Sequence, residues 1–174
     1  MTSSALTASQ GGQIPRRRHR AIAAIGLASL ALIAGAWYFQ LVVGLVPCKL
    51  CLEQRLPHYA AIGLAIIGLV IARSARLQGL VLLALAGLMA WSLGLGVYHA
   101  GVEWGWFLGP SDFGGGIAQA SGVQDFMKQL QSVKVVSCAQ AAWRFLGLSL
   151  AGWNAVASAG LFGLATAGLL RPER

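Results

Sequence analysis

Four long apolar runs limit this chain to one kind of fold. They are Ala21 to Val46, Pro57 to Ala72 (extended at its start by Leu56), Leu77 to about Ala100, and Leu148 to Leu170. A helix needs about 20 residues to cross the hydrocarbon of a bilayer, and it satisfies its own backbone groups there. The second run is near the lower limit, so its helix is expected to begin before Pro57, among Leu52 to Arg55. The first run is too long for the apolar part of a cleaved signal, and three more spans follow, so it reads as an anchor. Composition points the same way. The chain is 57% hydrophobic and 10% charged, whereas a soluble domain carries roughly 25% charged residues. The expected fold class is all-α, an integral membrane four-helix bundle.

Charge placement suggests an orientation. With four spans, both termini and the loop between spans two and three share one side. That side carries Arg16, Arg17, Arg18, Arg20, Arg73, Arg76, Arg171 and Arg174, eight of the 13 basic residues. The other side carries Lys49, Arg55, Lys128, Lys134 and Arg144, together with four of the five acids. Basic residues collect on the cytoplasmic side of membrane proteins, so both termini are expected to be cytoplasmic. All three cysteines then fall on the outer side, where disulfides persist. The net charge of +8 sits at segment ends. No basic face with interleaved aromatics appears, so nucleic-acid binding is not expected.

The expected organisation follows. Residues 1–20 form a disordered cytoplasmic tail. Residues 21–170 form the transmembrane domain, with spans at about 21–46, 54–72, 77–100 and 148–170 and outer loops at about 47–53 and 101–147. Residues 171–174 form a cytoplasmic end. In the large loop, Trp104, Trp106 and Phe107 suit the aromatic belt at the interface, and Trp143, Phe145, Leu146, Leu148 and then Trp153 read as an interfacial anchor leading into the last span. Val123 to Val133 has Val123, Phe126, Met127 and Leu130 at helical spacing. That pattern reads as a short amphipathic helix on the membrane surface or packed on the bundle. Gly63, Gly68, Gly94, Gly96, Gly160 and Gly163 are expected on helix-packing faces.

Cys48-Lys49-Leu50-Cys51 stands where the first span ends. A disulfide closing so small a loop removes little chain entropy, so a redox role is favoured over a structural one. A c-type haem would need His after the second Cys, and Leu52 is there instead. A zinc site would need about two more ligands. Cys138 and His99 are conceivable, but their spacing matches no zinc pattern, so no metal is expected. Arg55 lies one turn beyond Cys51. It could hold a thiolate or a reduced quinone oxygen, or simply reach lipid phosphate, with Glu53 as a possible pair. His99 could donate a hydrogen bond or move a proton, or be merely solvated. Cys138, the odd cysteine, flags exchange or intermolecular pairing.

The outer Cys-x-Leu-Cys with Arg four residues on, and Cys138 followed by Trp143-x-Phe145-Leu146-Gly147-Leu148-x-x-x-x-Trp153, resemble the disulfide bond formation protein B (DsbB) family. Tyr98-His99-x-Gly101-x-Glu103-Trp104-Gly105 and the Gly109-Pro110-Ser111 turn add to the likeness, which covers about Ala21 to Leu170. The resemblance implies a bacterial inner-membrane protein-dithiol:quinone oxidoreductase that reoxidises a periplasmic DsbA-like protein. Electrons would pass to ubiquinone or menaquinone. Cys48 and Cys51 would face the quinone, Arg55 would match the family's quinone-site Arg, and His99 would lie near that site. Cys138 would match the later of two large-loop cysteines. The earlier one is replaced by Asp112-Phe113, so a loop disulfide within one chain cannot form. Cys138 is therefore expected to pair with Cys48 or Cys51. The competing readings are a divergent homologue with altered or lost partner exchange, a membrane scaffold with crosslinking cysteines, and a reductive quinone-linked relay of the vitamin K epoxide reductase kind. In such a relay the quinone-facing pair follows the loop cysteines, and here it precedes them.

Overall fold

A computed structural model describes residues 16–110 and 137–170. Four helical segments in it are long and apolar enough to cross a membrane: Arg16–Leu41, Lys49–Ile71, Ala75–Glu103 and Leu150–Leu170. We call the elements α1 (Arg16–Leu41), α2 (Lys49–Glu53), α3 (Arg55–Ile71), α4 (Ala75–Glu103), β1 (Arg144–Phe145), β2 (Leu148–Ser149) and α5 (Leu150–Leu170). Helices α2 and α3 make one crossing, interrupted at Gln54, which ends the first and starts the second. Of the disordered tail expected over residues 1–20, residues 1–15 lie outside the described residues and residues 16–20 are helical; the amphipathic helix expected at Val123–Val133 also lies outside them.

Helix α1 starts at Arg16, so the basic cluster forms its first turn instead of preceding it. The structure gives these arginines a second task. Arg17 Nη2 donates to the Ala167 carbonyl at 3.3 Å, and Arg18 Nε donates to the Gly168 carbonyl at 3.3 Å. Arg18 Nη1 donates to the Ala75 carbonyl at 2.7 Å. Carbonyls at a helix C-terminus lack partners within the helix and carry partial negative charge. The α1 start therefore caps the α5 end and meets the α3–α4 turn at one end of the bundle. Helix α1 also stops at Leu41, short of Val46. Gly44 takes φ +77° just beyond it, and the chain then runs extended through Pro47 to the cysteine pair.

Ile22 and Ile25 of α1, Ala61 and Ala65 of α3, Leu82, Leu85 and Met89 of α4, and Ala165 of α5 make the buried core. Small residues set the helix spacing. A Cβ on Gly26 would lie 2.7 Å from the Ala65 Cβ, and one on Gly96 would lie 3.0 Å from the Ala155 backbone. Of the six glycines expected on packing faces, Gly68 and Gly96 are there. Gly63, Gly94, Gly160 and Gly163 have nothing within 4 Å of a would-be Cβ. Frequency in an apolar run did not distinguish the lipid side of a helix from its packed side.

The Trp143 to Trp153 block, read from sequence as an interfacial anchor, contains a small hairpin. Strand β1 pairs antiparallel with β2, Arg144 opposite Ser149 and Phe145 opposite Leu148. Leu146 and Gly147 turn with φ 51° and 83°, the left-handed pair that matches strand twist in a two-residue loop. Ser149 Oγ accepts from the Gly152 N–H at 3.1 Å and so caps α5. Trp153 Nε1 donates to the Phe145 carbonyl at 3.1 Å. The hairpin thus fixes how residues 137–143 return to the bundle.

Candidate functional site

The end of the bundle opposite the arginine cap holds all three cysteines. Cys48 is the N-cap of α2, and its Sγ accepts the Cys51 backbone N–H at 3.3 Å. This places the two sulfurs 2.8 Å apart, with Cys48 donating to Cys51. Cys138 arrives from the distant segment before β1 and packs with Cys48, Leu50 and Val102, with Cys51 and Tyr98 at the edge. Its sulfur, that of Cys48 and a ring nitrogen of His99 lie within 4.8 Å of one another. The Cys48 thiol is pushed up to about 12, first by the hydrogen bond it gives to Cys51 and then by burial, while His99 pulls it down. The Cys138 thiol is also raised, by burial first, with the Leu50 backbone N–H opposing.

His99 enters from α4. Its Nε2 stands 3.6 Å from Cys48 Sγ and 3.8 Å from Glu103 Oε1, one turn further along the helix. Its Nδ1 is 2.6 Å from Gln54 Nε2. A buried polar chain continues inward from there. Asn154 Nδ2 donates to Gln54 Oε1 at 2.8 Å. His58 Nε2 is 3.0 Å from Asn154 Oδ1 and 3.2 Å from Ser92 Oγ, and His58 Nδ1 is 3.3 Å from Ser29 Oγ. Ser158 Oγ donates to Ser92 Oγ at 2.9 Å. With these amide orientations one run of donors leads towards the cysteines, Ser29 to His58, His58 to Asn154, Asn154 to Gln54 and Gln54 to His99, while Asn154 Nδ2 also donates to Ser92 Oγ at 3.3 Å. Imidazole has one donor and one acceptor nitrogen when neutral. The chain therefore holds His99 with Nε2–H facing Cys48.

Sequence reading missed this network. Its signal was present, since polar side chains inside apolar runs are costly unless they serve a purpose. The five groups Ser29, His58, Ser92, Asn154 and Ser158 come from four helices, and only Asn154 and Ser158, one turn apart on α5, are related by local spacing. Asn154→Leu would leave Gln54 Oε1 without its donor and His58 Nε2 with Ser92 alone. Interhelical hydrogen bonds in membranes are worth about 0.6–2 kcal/mol each. We expect this variant to unfold about 1–3 kcal/mol earlier in a denaturant titration in detergent, with Asn154→Gln closer to wild type.

Arg55 is 9% exposed. It pairs across to α1 and not with Glu53: Nη1 donates to Gln40 Oε1 at 2.7 Å and Nη2 to the Ala36 carbonyl at 3.5 Å. The guanidinium also lies over the Trp37 ring, 5.4 Å from its centroid, and Trp37 Nε1 donates to Tyr59 Oη at 2.9 Å. Beside it is a cavity of about 270 Å³ between α1, α3 and the start of α5. Phe39, Pro47 and Trp153 give it apolar walls, and Cys51, Gln54 and Arg55 line it too. That volume is near the small end of ligand pockets, roughly 300–1,000 Å³. The wall suits a flat apolar ring with polar oxygens: a cation fixed on one side, a thiol on another, and no free carboxylate among the lining residues.

The family model described as "Disulfide bond formation protein DsbB" matches residues 17–168. The chain belongs to the DsbB family. Among its DsbB relatives is "Disulfide bond formation protein B" of Verminephrobacter eiseniae (strain EF01-2), 38% identical over 170 residues, covering 90% of this chain and 88% of that protein. The protein of the same name from Albidiferax ferrireducens (strain ATCC BAA-621 / DSM 15236 / T118) is 33% identical over 159 residues, covering 88% and 86%. No solved structure matches significantly. The DsbB membership and the four spans make this a multi-pass membrane oxidoreductase of disulfide bond formation.

Proposed function

We propose that this DsbB-family chain is an inner-membrane protein-dithiol:quinone oxidoreductase, with both termini cytoplasmic and the cysteines periplasmic. It takes electrons from a DsbA-like dithiol protein and gives them to ubiquinone or menaquinone. One observation carries the reading: the Cys48–Cys51 pair has two faces. Cys51 shares the wall of an apolar cavity with Arg55, while Cys48, which does not line that cavity, packs against Cys138.

The chemistry runs as thiol–disulfide exchange. With Cys48 and Cys51 joined, the Cys138 thiolate attacks Cys48 Sγ. A Cys48–Cys138 bond forms, the Cys48–Cys51 bond breaks, and Cys51 leaves as a thiolate into the cavity wall beside Arg55. A reduced partner protein attacks Cys138 and releases Cys48. The partner's second thiol then displaces Cys138, so the partner leaves oxidised. Two electrons and two protons pass from the Cys48–Cys51 dithiol to the quinone, which restores the disulfide and yields quinol. Arg55 supplies a fixed positive charge where negative charge develops on sulfur and on the quinone oxygen. His99, held as an Nε2–H donor, steadies Cys48 as it leaves.

This route replaces the large-loop disulfide that Asp112-Phe113 precludes. Peptide mass spectrometry of protein isolated oxidised, with free thiols blocked at low pH, should recover a Cys48–Cys138 linked peptide. Recovery of Cys48–Cys51 alone with Cys138 always blocked would overturn the route through Cys138.

A further inference from the structure

The three cysteines and His99 have a second chemistry that does not depend on any electron acceptor. We propose that the fully reduced chain binds one thiophilic divalent cation, Zn2+, through Cys48, His99, Cys138 and Cys51, and that the metal holds the thiols out of turnover. Three of the four donor atoms, on Cys48, His99 and Cys138, already lie within 4.8 Å of one another, and all three residues are buried. Any such triangle has a central point no more than about 2.8 Å from each corner. Zinc bonds are about 2.3 Å to sulfur and 2.0 Å to nitrogen, so closing the site needs shifts of only a few tenths of an ångström. Cys51 Sγ, 2.8 Å from Cys48 Sγ, reaches the fourth corner by a side-chain rotation. Three thiolates and one imidazole are a common tetrahedral set for structural zinc.

Two further observations point to a cation. The first is behind His99. A ligating imidazole is normally steadied through its other nitrogen, and Gln54 already sits 2.6 Å from Nδ1. Turning the Gln54 and Asn154 amides over together, with His58 passing to its Nδ1–H tautomer, lets the Gln54 oxygen accept an Nδ1–H from His99 and frees Nε2 for the metal. The second is Glu103. Its side chain is 5% exposed, its Oε1 is 3.8 Å from His99 Nε2, and its Oε2 has no hydrogen-bond partner among the described residues. That carboxylate attracts a divalent cation on entry, before the thiols release their protons; the finished Zn–S3N centre carries a net charge of −1.

The binding step is Zn2+ plus three Cys–SH and His99 giving the Zn–S3N centre and three released protons. It needs no oxidant, and it excludes the redox cycle: a Cys48–Cys51 disulfide removes two donors, and bound zinc occupies the thiolates that would form that disulfide. Zinc would thus arrest the reduced enzyme reversibly.

The test uses the full chain in detergent, reduced and freed of reductant without oxygen. Titration with Co2+ should give one ion per chain, visible bands of a tetrahedral site and sulfur-to-cobalt charge-transfer absorption for three thiolates. Zn2+ should displace the Co2+, and the oxidised chain should bind neither ion. Cys138→Ser and His99→Gln should each weaken Zn2+ at least tenfold. A second readout needs no variant: equimolar Zn2+ should protect Cys138 from alkylation as fully as it protects Cys48 and Cys51, and a chelator should restore labelling. Protection of Cys48 and Cys51 alone, affinity unchanged in Cys138→Ser, octahedral Co2+ bands or an adventitious ion only would each overturn the proposal.

Discussion

Cys48→Ala and Cys51→Ala are each expected to lower dithiol-dependent quinone reduction by at least ~10³-fold, the order seen when a nucleophile is removed from an enzyme that acts through it. Neither sulfur can be replaced by its neighbour. Cys51 is the cysteine in the cavity wall, and Cys48 is the one beside His99. Cys138→Ala should behave differently. Cys138 stands apart from the cavity lining, so a small dithiol that reaches the pair directly should still reduce quinone near the wild-type rate, while a protein dithiol should not. The check is paired absorbance assays of quinone reduction in detergent, one with dithiothreitol and one with a reduced DsbA-like protein. Equal loss in both assays for Cys138→Ala would show that Cys138 supports the pair structurally and is not the exchange point. Near-normal turnover in Cys48→Ala would remove the pair from the mechanism altogether.

Arg55→Ala should mainly raise the quinone KM, by about 10–100-fold, with kcat changed less. A hydrogen bond to a charged group is worth about 1.5–3 kcal/mol, and each 1.4 kcal/mol is a factor of ten. The surroundings of Arg55 say why lysine would not substitute fully. The guanidinium donates to Gln40 and Ala36 through two nitrogens and lies over Trp37, a forked arrangement that a point ammonium cannot copy. Arg55→Lys is therefore expected between alanine and wild type. Because Arg55→Ala also leaves Gln40 Oε1 without its donor, thermal unfolding of the variant should be recorded beside the kinetics. Unchanged quinone kinetics in a folded Arg55→Ala protein would refute the assigned role.

Much of the architecture was legible in the apolar runs. Four spans were readable because a bilayer imposes a minimum length on any helix that crosses it, and that length is a property of contiguous sequence. The breaks were less so. Helix α1 ends at Leu41 and the second crossing begins at Lys49, because turn geometry at Gly44 and capping by Cys48 decide those ends, not hydropathy. The Trp143 to Trp153 block looked like an anchor and contains a hairpin, since two strands of two residues are too short to leave a periodic pattern.

Cys48 and Cys51 are three residues apart, and Arg55 follows by four, so one helical turn already brings the pair and its cation to the same region. Local spacing determined that much. His99 is 51 residues from Cys48, and Cys138 comes from beyond two further segments. Only the packing of α4 against α2 and the return of the chain before β1 could bring them to the same sulfur. The inward chain through Gln54, Asn154 and His58 is the extreme case. Asn154 lies 100 residues from Gln54 and 96 from His58. Asn154 is an isolated polar residue in an apolar run, Gln54 sits between Glu53 and Arg55, and the partner of each is set by which helix faces which. Sequence alone determined the membrane fold and the closeness of Cys48 and Cys51. Tertiary structure decided what surrounds that pair, because in lipid a buried polar group must find its partner on another helix.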